Sequence, residues 1–184
     1  MDFEIKDDVL VKYHGIDADV VIPNNVTTIG KGAFSDCISL KSITIPDSVT
    51  AIGNYAFVSC ENLETIKIQK GITEICEGVF FDCIKLWNVK IPDGVTKIGK
   101  CAFAGCKKLG IIEFPNTLTE ICEGAFFKCT KLWKVNIPES VTKIGHWAFR
   151  DCRNLELLIL PNNVEIHKRA FTGCPKLKKD EIFN

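Results

Sequence analysis

Apolar and polar positions follow one order along the chain, and that order returns about every 23 residues. In the copy at residues 40–45, the first, fourth and sixth positions are apolar and the others are polar. This alternation predicts a short β-strand with one buried face, ended by Pro46, which lacks an N–H for the ladder. Residues 49–53 alternate again and predict a second short strand. Residues 54–60, which contain an Ala-Phe pair, predict one or two helical turns.

Three apolar columns recur at fixed places in the repeat. The central phenylalanine is followed three residues later by a cysteine, and three residues after that by a leucine. The phenylalanines are Phe34, Phe57, Phe80, Phe103, Phe126, Phe149 and Phe171, spaced by 23 residues except for a final step of 22. Seven copies with this period predict a solenoid, in which each coil buries its apolar face only by stacking on its neighbours.

The repeats fill almost the whole chain, so the sequence predicts a single domain over residues 1–184. Residues 1–16 precede the repeats and predict a hairpin, with Asp7 and Asp8 in the turn between two alternating segments. A solenoid needs its first coil covered, since an exposed strand edge pairs with other chains. We therefore expect an N-terminal hairpin cap at 1–16, repeats at 17–177 and a charged C-terminal cap at 178–184.

Ten cysteines raise the question of disulfides, a metal site or buried thiols. Seven of them form the column after the phenylalanine, which places each thiol beside its copy in the next coil, about 4.8 Å away. Parallel side-chain vectors at that spacing do not suit a disulfide, and a free cysteine packs as a small apolar residue. No Cys-x-x-Cys pair is present. The sequence favours buried free thiols and predicts neither a metal nor a cofactor.

The charge balance and the hydropathy of the chain argue against two classes of partner, nucleic acids and the membrane interior. Lys and Arg together number 23, as do Asp and Glu, so the net charge is +0. A nucleic-acid surface needs a basic excess, and no apolar run approaches the roughly 18–20 residues of a membrane-spanning helix. We expect no nucleic-acid partner and no membrane insertion. Residues 1–16 lack the features of a signal peptide. The chain is therefore predicted to be cytoplasmic, or secreted or cell-surface if it is part of a longer protein.

The sequence offers little for catalysis. The three histidines, His14, His146 and His167, lie in different coils, and no phosphate-binding or nucleophile motif is present. A thiol enzyme would need Cys101 or Cys122 beside His146. We predict that the protein is not an enzyme, and we keep the thiol enzyme as the minor alternative.

In several repeats, unusual residues occupy the outward positions of the first of the two predicted strands. Trp87 and Trp133 are two coils apart, and Gly110 between them leaves a slot. Exposed aromatic and apolar residues flanked by polar groups are typical of binding hot spots. The candidate protein-binding residues are Trp87, Lys90, Ile111, Trp133, Lys134, Leu157 and Ile159. The alternative is inheritance, because residues 73–87 nearly repeat at 119–133 and indicate that a block of 46 residues was copied.

The repeat unit Cys-x-x-Leu-x-x-Ile-x-Ile-Pro-x-x-Val-x-x-Ile-Gly-x-x-Ala-Phe-x-x-Cys resembles the BspA-type leucine-rich repeat over roughly residues 17–177. The resemblance implies an α/β solenoid, a curved right-handed coil with short parallel strands on its concave face and short helices on its convex side. It also implies a binding role without catalytic residues. Members of the family occur in gut and oral bacteria and in mucosal protozoa, often as surface adhesins for host matrix proteins.

The predicted function is a non-catalytic protein-interaction module that holds a protein or peptide on its concave face. One alternative is a structural or self-associating repeat protein that forms a weak homo-oligomer through the solenoid ends or the concave face. The other is a fragment of a cell-surface adhesin that binds host proteins.

Overall fold

A computed structural model describes residues 2–178 of the chain, which wind into a solenoid of about seven turns. All but the first residue of the predicted C-terminal cap at 178–184 lies outside the described residues. Sixteen short strands form: β1 (Phe3–Lys6), β2 (Val9–Tyr13), β3 (Asp19–Val21), β4 (Thr28–Ile29), β5 (Ser42–Thr44), β6 (Ala51–Ile52), β7 (Thr65–Lys67), β8 (Glu74–Ile75), β9 (Asn88–Lys90), β10 (Lys97–Ile98), β11 (Ile111–Ile112), β12 (Glu120–Ile121), β13 (Lys134–Asn136), β14 (Lys143–Ile144), β15 (Leu157–Ile159) and β16 (Glu165–Ile166).

Each coil contributes one strand to each of two faces. We call the face formed by β3, β5, β7, β9, β11, β13 and β15 the long-strand face, and the face formed by β4 and the later even-numbered strands the short-strand face. Strands of adjacent coils pair in parallel with a register of one repeat, so that Ile43 lies opposite Ile66 and Ile98 opposite Ile121. The short-strand face is divided into two sheets between β6 and β8. A constant repeat length brings identical columns side by side, which confirms the predicted parallel sheets.

The long-strand face has an interruption near its middle. Strands β3 to β9 form one sheet and β11 to β15 another, and a single bridge between Lys90 and Glu113 joins them. The interruption falls in the coil where Phe114 occupies a column that holds isoleucine in the two flanking coils, Ile91 and Ile137. The Phe114 ring packs edge-on against Phe126, with the ring centroids 5.7 Å apart. A ring here demands more room than isoleucine, and the ladder loosens beside it.

The first two strands form a hairpin that precedes the first coil. Strands β1 and β2 pair antiparallel, and β2 pairs in parallel with β4, so β2 takes the place of a preceding coil on the short-strand face. Two aromatic rings extend the central column outward: Phe3 lies 5.1 Å from Tyr13, which lies 5.3 Å from Phe34. These rings cover the first coil of the core.

A stack of phenyl rings runs through the centre of the solenoid. The six phenylalanines from Phe34 to Phe149 have no exposed surface, and Phe171 in the last coil is partly buried. Neighbouring ring centroids are 5.1 to 5.6 Å apart, and the planes are inclined by 3° to 23°. Offset aromatic pairs at such distances add about 0.5–1.5 kcal/mol each beyond the area they bury. The predicted aromatic core is confirmed.

The prediction of short helices on the convex side is wrong, because residues 2–178 contain no helix. In the segment around Phe34, the N–H groups of Gly32, Phe34 and Asp36 donate to Asn54, Ala56 and Val58 in the next coil. The N–H groups between them close turns three residues back, as from Ala33 to Gly30. An α-helix needs successive N–H groups to donate within its own segment. Here every second donor bonds to the neighbouring coil, and the segment becomes a series of linked turns.

The backbone of these turns contains two left-handed residues in most coils. Gly32 and Asp36 have φ values of 62° and 61°, and the same two columns are left-handed in most later coils. Left-handed conformations interrupt a right-handed helix. No helix among the described residues is long and apolar enough to cross a membrane.

The cysteine column satisfies the backbone of these turns. The Cys60 thiol donates to the carbonyl oxygen of Phe34 in the preceding coil, with Sγ and O 3.1 Å apart, and the later cysteines of the column repeat the bond at 3.1–3.2 Å. The same carbonyl accepts the Cys37 N–H at 3.2 Å. Burial raises the pKa of each of these thiols from Cys60 onward. All ten cysteines are free, but only five of them are buried as predicted, and the other five are partly exposed: Cys37, Cys76, Cys101, Cys122 and Cys174.

Replacing Gly78 by alanine is expected to destabilise the protein by about 1–2 kcal/mol. Gly78 has a φ of 60°, and a β-carbon on it would collide with the Tyr55 ring of the preceding coil. Urea unfolding followed by circular dichroism measures the loss. Gly110→Ala is the matched control, since its φ is not left-handed and its β-carbon would meet nothing within 4 Å. Equal stability of Gly78→Ala and Gly110→Ala would contradict this account of the turn.

Candidate functional site

All seven candidate residues lie on the long-strand face or directly before one of its strands. Trp87 precedes β9 and Trp133 precedes β13, with 53% and 41% of their surfaces exposed. Their backbones are held in the sheet, since the N–H of Trp87 donates to Glu64 and that of Trp133 to Gly110. The column thus runs from Glu64 through Trp87 and Gly110 to Trp133. The two indoles stand two coils apart on a fixed backbone.

A groove of about 600 Å³ lies between the two tryptophans, and we call it the tryptophan groove. Its lining residues are Trp87, Asn88, Val89, Lys90, Lys108, Gly110, Ile111, Glu113 and Trp133. A β-carbon built on Gly110 would have no neighbour within 4 Å, so the slot predicted above this residue is open. The groove also lies where the two sheets of this face meet through the bridge between Lys90 and Glu113.

A second hollow, of about 500 Å³, lies beside the tryptophan groove and is lined by residues of the coils that contain β11 and β13. Ile111, Lys134 and Phe114 are among its lining residues, and Trp133 and Glu113 border both hollows. Lys134 pairs in register with Ile111 on one side and Leu157 on the other. The structure therefore brings five of the seven candidates, Trp87, Lys90, Ile111, Trp133 and Lys134, around two connected hollows.

The last two candidates are placed apart from the hollows. Leu157 and Ile159 lie on β15 with 47% and 56% of their surfaces exposed, and they line neither hollow. They share the long-strand face with the tryptophans and extend its apolar surface toward the last coil.

The tryptophan groove and its neighbour are locally basic on a neutral chain. Three lysines, Lys90, Lys108 and Lys134, border them together with one acid, Glu113. Among residues 2–178, none of these four side chains is in an ion pair within 4.0 Å, whereas Lys97 and Lys100 on other surfaces pair with Glu120 and Glu123. The three ammonium groups remain available to a negatively charged partner.

Sequence reasoning did not place Lys108 among the residues that line the groove. It precedes Leu109 in the turn before β11, outside the outward strand positions from which the candidates were drawn. It lines the groove together with Gly110 and the two tryptophans. Asn88 and Glu113 occupy outward strand positions, but their ordinary polar character gave no signal. The one sequence feature that indicated the groove was a glycine between two tryptophans in the same column.

The thiols and histidines do not form a reactive centre in the described part of the chain. Burial raises the pKa of Cys101, and burial followed by the charge of Glu120 raises that of Cys122 to about 11. Activated thiols have a lowered pKa, so both shifts oppose nucleophilic catalysis. His146 packs on Trp147 and on His167, with ring centroids 4.0 and 4.5 Å away. No group of three or more potential metal ligands occurs within residues 2–178.

The chain is similar in structure to several bacterial leucine-rich repeat proteins. The leucine-rich repeat protein of T. pallidum superposes with a TM-score of 0.91 at 31% identity, over 97% of this chain and 88% of that one. A leucine rich cell surface protein from Faecalibacterium prausnitzii matches with a TM-score of 0.63 at 30% identity, over 87% of this chain and 58% of that one. A leucine-rich repeat protein from Eubacterium ventriosum matches with a TM-score of 0.81 at 25% identity, over 96% of this chain and 48% of that one.

The chain thus spans only about half the length of the F. prausnitzii and E. ventriosum proteins. No curated protein matches its sequence. The family model of the BspA type leucine rich repeat region matches residues 13–90 and 73–184 in six copies. The proteins it describes are generally interaction or surface-associated repeat proteins and are generally not enzymes. With this match over nearly its whole length, the chain belongs to the BspA-type leucine-rich repeat family.

Proposed function

We propose that this chain is a non-catalytic binding module that holds a protein or peptide on its long-strand face. The observation that carries the proposal is the pair of exposed tryptophans on either side of one open groove. Trp is enriched among residues that dominate binding energy, and scaffold stability does not explain half-exposed indoles. The family resemblance makes this face the concave one.

A preformed surface suits this role. The N–H groups of Trp87 and Trp133 are bonded to the preceding coils, so the backbone that presents them is ordered before a partner arrives. Binding to a preorganised surface costs less conformational entropy than ordering a loop. Copying of a 46-residue block accounts for the origin of two tryptophans, and it also places them two coils apart, where one ligand can contact both.

The cell surface is the location that the comparisons favour over the cytoplasm. The F. prausnitzii relative is described as a leucine rich cell surface protein. Five of the ten free thiols are compatible with that location, because they are fully buried with a raised pKa and are shielded from oxidants. On this view the partner is an extracellular protein, as in the adhesin alternative.

Replacing Trp87 and Trp133 together by alanine is expected to weaken partner binding at least a hundredfold without unfolding the chain. Truncating one hot-spot tryptophan costs about 2 kcal/mol or more of binding free energy. The loss of two such rings together lowers the affinity at least about a hundredfold. Binding is measured with surface-immobilised protein against ligands selected from a random-peptide library. Trp147→Ala is the matched control, because Trp147 lies in a turn segment away from the long-strand face. Unchanged binding by the double variant would remove the proposal.

Self-association is the competing function, and one observation favours it. Leu157 and Ile159 expose apolar surface on β15, the last strand of the long-strand face. Light scattering over a range of concentrations separates the two functions. A monomer at every concentration excludes self-association, whereas a dimer that Leu157→Ser abolishes would favour it.

A further inference from the structure

We infer that the tryptophan groove takes an extended acidic segment that inserts one apolar side chain between Trp87 and Trp133. This inference rests on the proposed function and specifies its partner. Three features carry it: the empty position above Gly110, the spacing of the two indoles, and the unpaired lysines around them.

Gly110 is a glycine that the fold does not need. The other twelve glycines have either a left-handed φ or a hypothetical β-carbon within 4 Å of another group, whereas Gly110 has neither. Its column holds Lys41, Glu64 and Glu156 in other coils, so larger side chains fit the same backbone. Glycine in a strand costs conformational entropy and contributes no packing. What it provides here is empty space between two indoles.

The width of that space suits one side chain. Strands two coils apart are separated by about 10 Å. A carbon atom in van der Waals contact with a ring lies about 4 Å from it, so one aliphatic or prolyl side chain reaches both Trp87 and Trp133. Such a group buries apolar area on both sides at once, with the Ile111 side chain beside it.

The charges select the flanking residues of the partner. Among the described residues, Lys90 and Lys108 line the slot together with one acid, Glu113, and Lys134 borders the neighbouring hollow. None of the three lysines has a carboxylate of residues 2–178 within 4.0 Å. Aspartate or glutamate on either side of the anchor would complement these ammonium groups and accelerate association. Asn88 and Asn136 present amides that can bond an extended backbone.

Tryptophan and lysine together also suit single-stranded nucleic acid, in which bases stack on aromatic rings. Two observations favour the peptide. The chain has a net charge of +0, so it lacks the overall basic excess that favours binding to a phosphate backbone. The slot also accepts one group between two indoles, whereas a stacking platform presents successive bases on a continuous surface.

The test measures fluorescence anisotropy of four labelled peptides of equal length. The first is acidic with a central leucine, the second is acidic with a central serine, the third replaces the acids by asparagine and glutamine, and the fourth replaces them by lysine. A labelled oligothymidylate of similar length is the fifth probe. We expect the first peptide to bind at least about tenfold more tightly than each of the others, and its affinity to fall as salt screens the lysines.

Variants on one face separate the slot from the charge. The Gly110→Leu variant fills the slot and is expected to lower the affinity for the first peptide at least about tenfold. The Gly110→Ala variant is expected to change this affinity little. Lys108→Gln is expected to weaken it several-fold, whereas Lys41→Gln, on the same face but away from the groove, does not. Circular dichroism shows that each variant is folded.

Several outcomes would overturn the inference: equal binding of the four peptides, no binding, tighter binding of oligothymidylate, or retention of the acidic peptide by Gly110→Leu. A neutral or basic ligand from a random-peptide library that requires Trp87 and Trp133 would also overturn it, while leaving the proposed function in place. A library with no ligand that depends on the tryptophans would overturn both.

Discussion

Raising the pH from about 7.5 to about 9.5 in reducing buffer is expected to lower the free energy of unfolding by at least about 5 kcal/mol, the contribution of the five fully buried thiols. Five thiols of the cysteine column, Cys60, Cys83, Cys106, Cys129 and Cys152, are fully buried. Burial raises the pKa of each in the folded state, so all five remain protonated over this range. The free energy of unfolding of a typical domain is only about 5–15 kcal/mol, so a loss of this size removes a large part of it.

The direction follows from proton binding in the two states. In the unfolded chain a thiol has a pKa of about 8.5–9 and releases its proton above that value, whereas the folded state keeps it. The unfolded state therefore binds fewer protons, and stability falls as the pH rises. At pH 9.5 the loss is about 1 kcal/mol for each buried thiol. The stability is fully present below the unfolded pKa and is lost progressively above it.

Urea unfolding at the two pH values measures the difference. Cys106→Ala is the internal control: it lowers stability at both pH values, and it shrinks the pH difference by about 1 kcal/mol because one buried thiol is gone. Burial raises the pKa of Tyr13, and hydrogen bonding to Glu77 raises that of Tyr55. Both contribute little to the pH difference, because a tyrosine in the unfolded chain has a pKa of about 10 and is still mostly protonated at about pH 9.5. Equal stability at both pH values would contradict the burial of the thiols as protonated donors.

The strands and the core were predictable because their signal is local. Alternation over a few residues, as in 40–45, fixes which side chains face inward, and repetition at a constant period fixes the parallel register. The turn segments were not predictable in this way. An Ala-Phe pair followed three residues later by cysteine has helical spacing, but the N–H groups that would close a helix bond to the next coil. Which donor bonds to which coil is a tertiary property.

One sequence signal did distinguish the turns from helices. The column two residues after the central phenylalanine contains Asp36, Asp82, Gly105, Asp151 and Gly173, and each of these has a positive φ. Aspartate and glycine are enriched in left-handed conformations, and their recurrence at one position indicates a turn. Serine and lysine, which occupy the same column elsewhere, hide this signal in a single repeat.

The site was predictable where a residue departs from its column, and not where it resembles its neighbours. Trp87 and Trp133 stand out among lysine, glutamate and glycine, and the structure gives both a large exposed surface on one groove. Lys108 is one lysine among many, and its place beside Gly110 follows from coil stacking. That any of the seven candidate residues takes part in binding stays a prediction.

Replacing Phe126 by alanine is expected to cost about 3–5 kcal/mol in unfolding free energy, and about 1 kcal/mol or less is expected for its neighbour Phe127. The Phe126 ring is fully buried between Phe103 and Phe149, with centroids 5.3 and 5.1 Å away, and Phe114 packs on its edge at 5.7 Å. Removing it leaves a cavity and breaks three aromatic contacts.

Phe127 is the matched control because it follows Phe126 directly and is only partly buried. Its ring contacts cations, with Lys128 Nζ 4.9 Å and Arg150 Cζ 5.8 Å from the centroid, and such exposed contacts are weak. Urea unfolding of the two variants therefore compares the same chemical change inside and outside the ring stack. Similar losses for both would contradict a stability that depends on the central column.

The Phe126 variant also tests how the coils are coupled. A solenoid is stabilised by contacts between neighbouring coils only, so one missing ring weakens the interfaces on both of its sides. The last coils are then joined to the rest through fewer contacts and are expected to open before the first ones. Hydrogen exchange measures this: the Phe149 N–H, bonded to Ala170, should exchange faster in the variant, while the Phe34 N–H, bonded to Ala56, keeps its protection. Uniform acceleration along the chain would show that the solenoid unfolds as one cooperative unit, in which a lost ring weakens every coil alike.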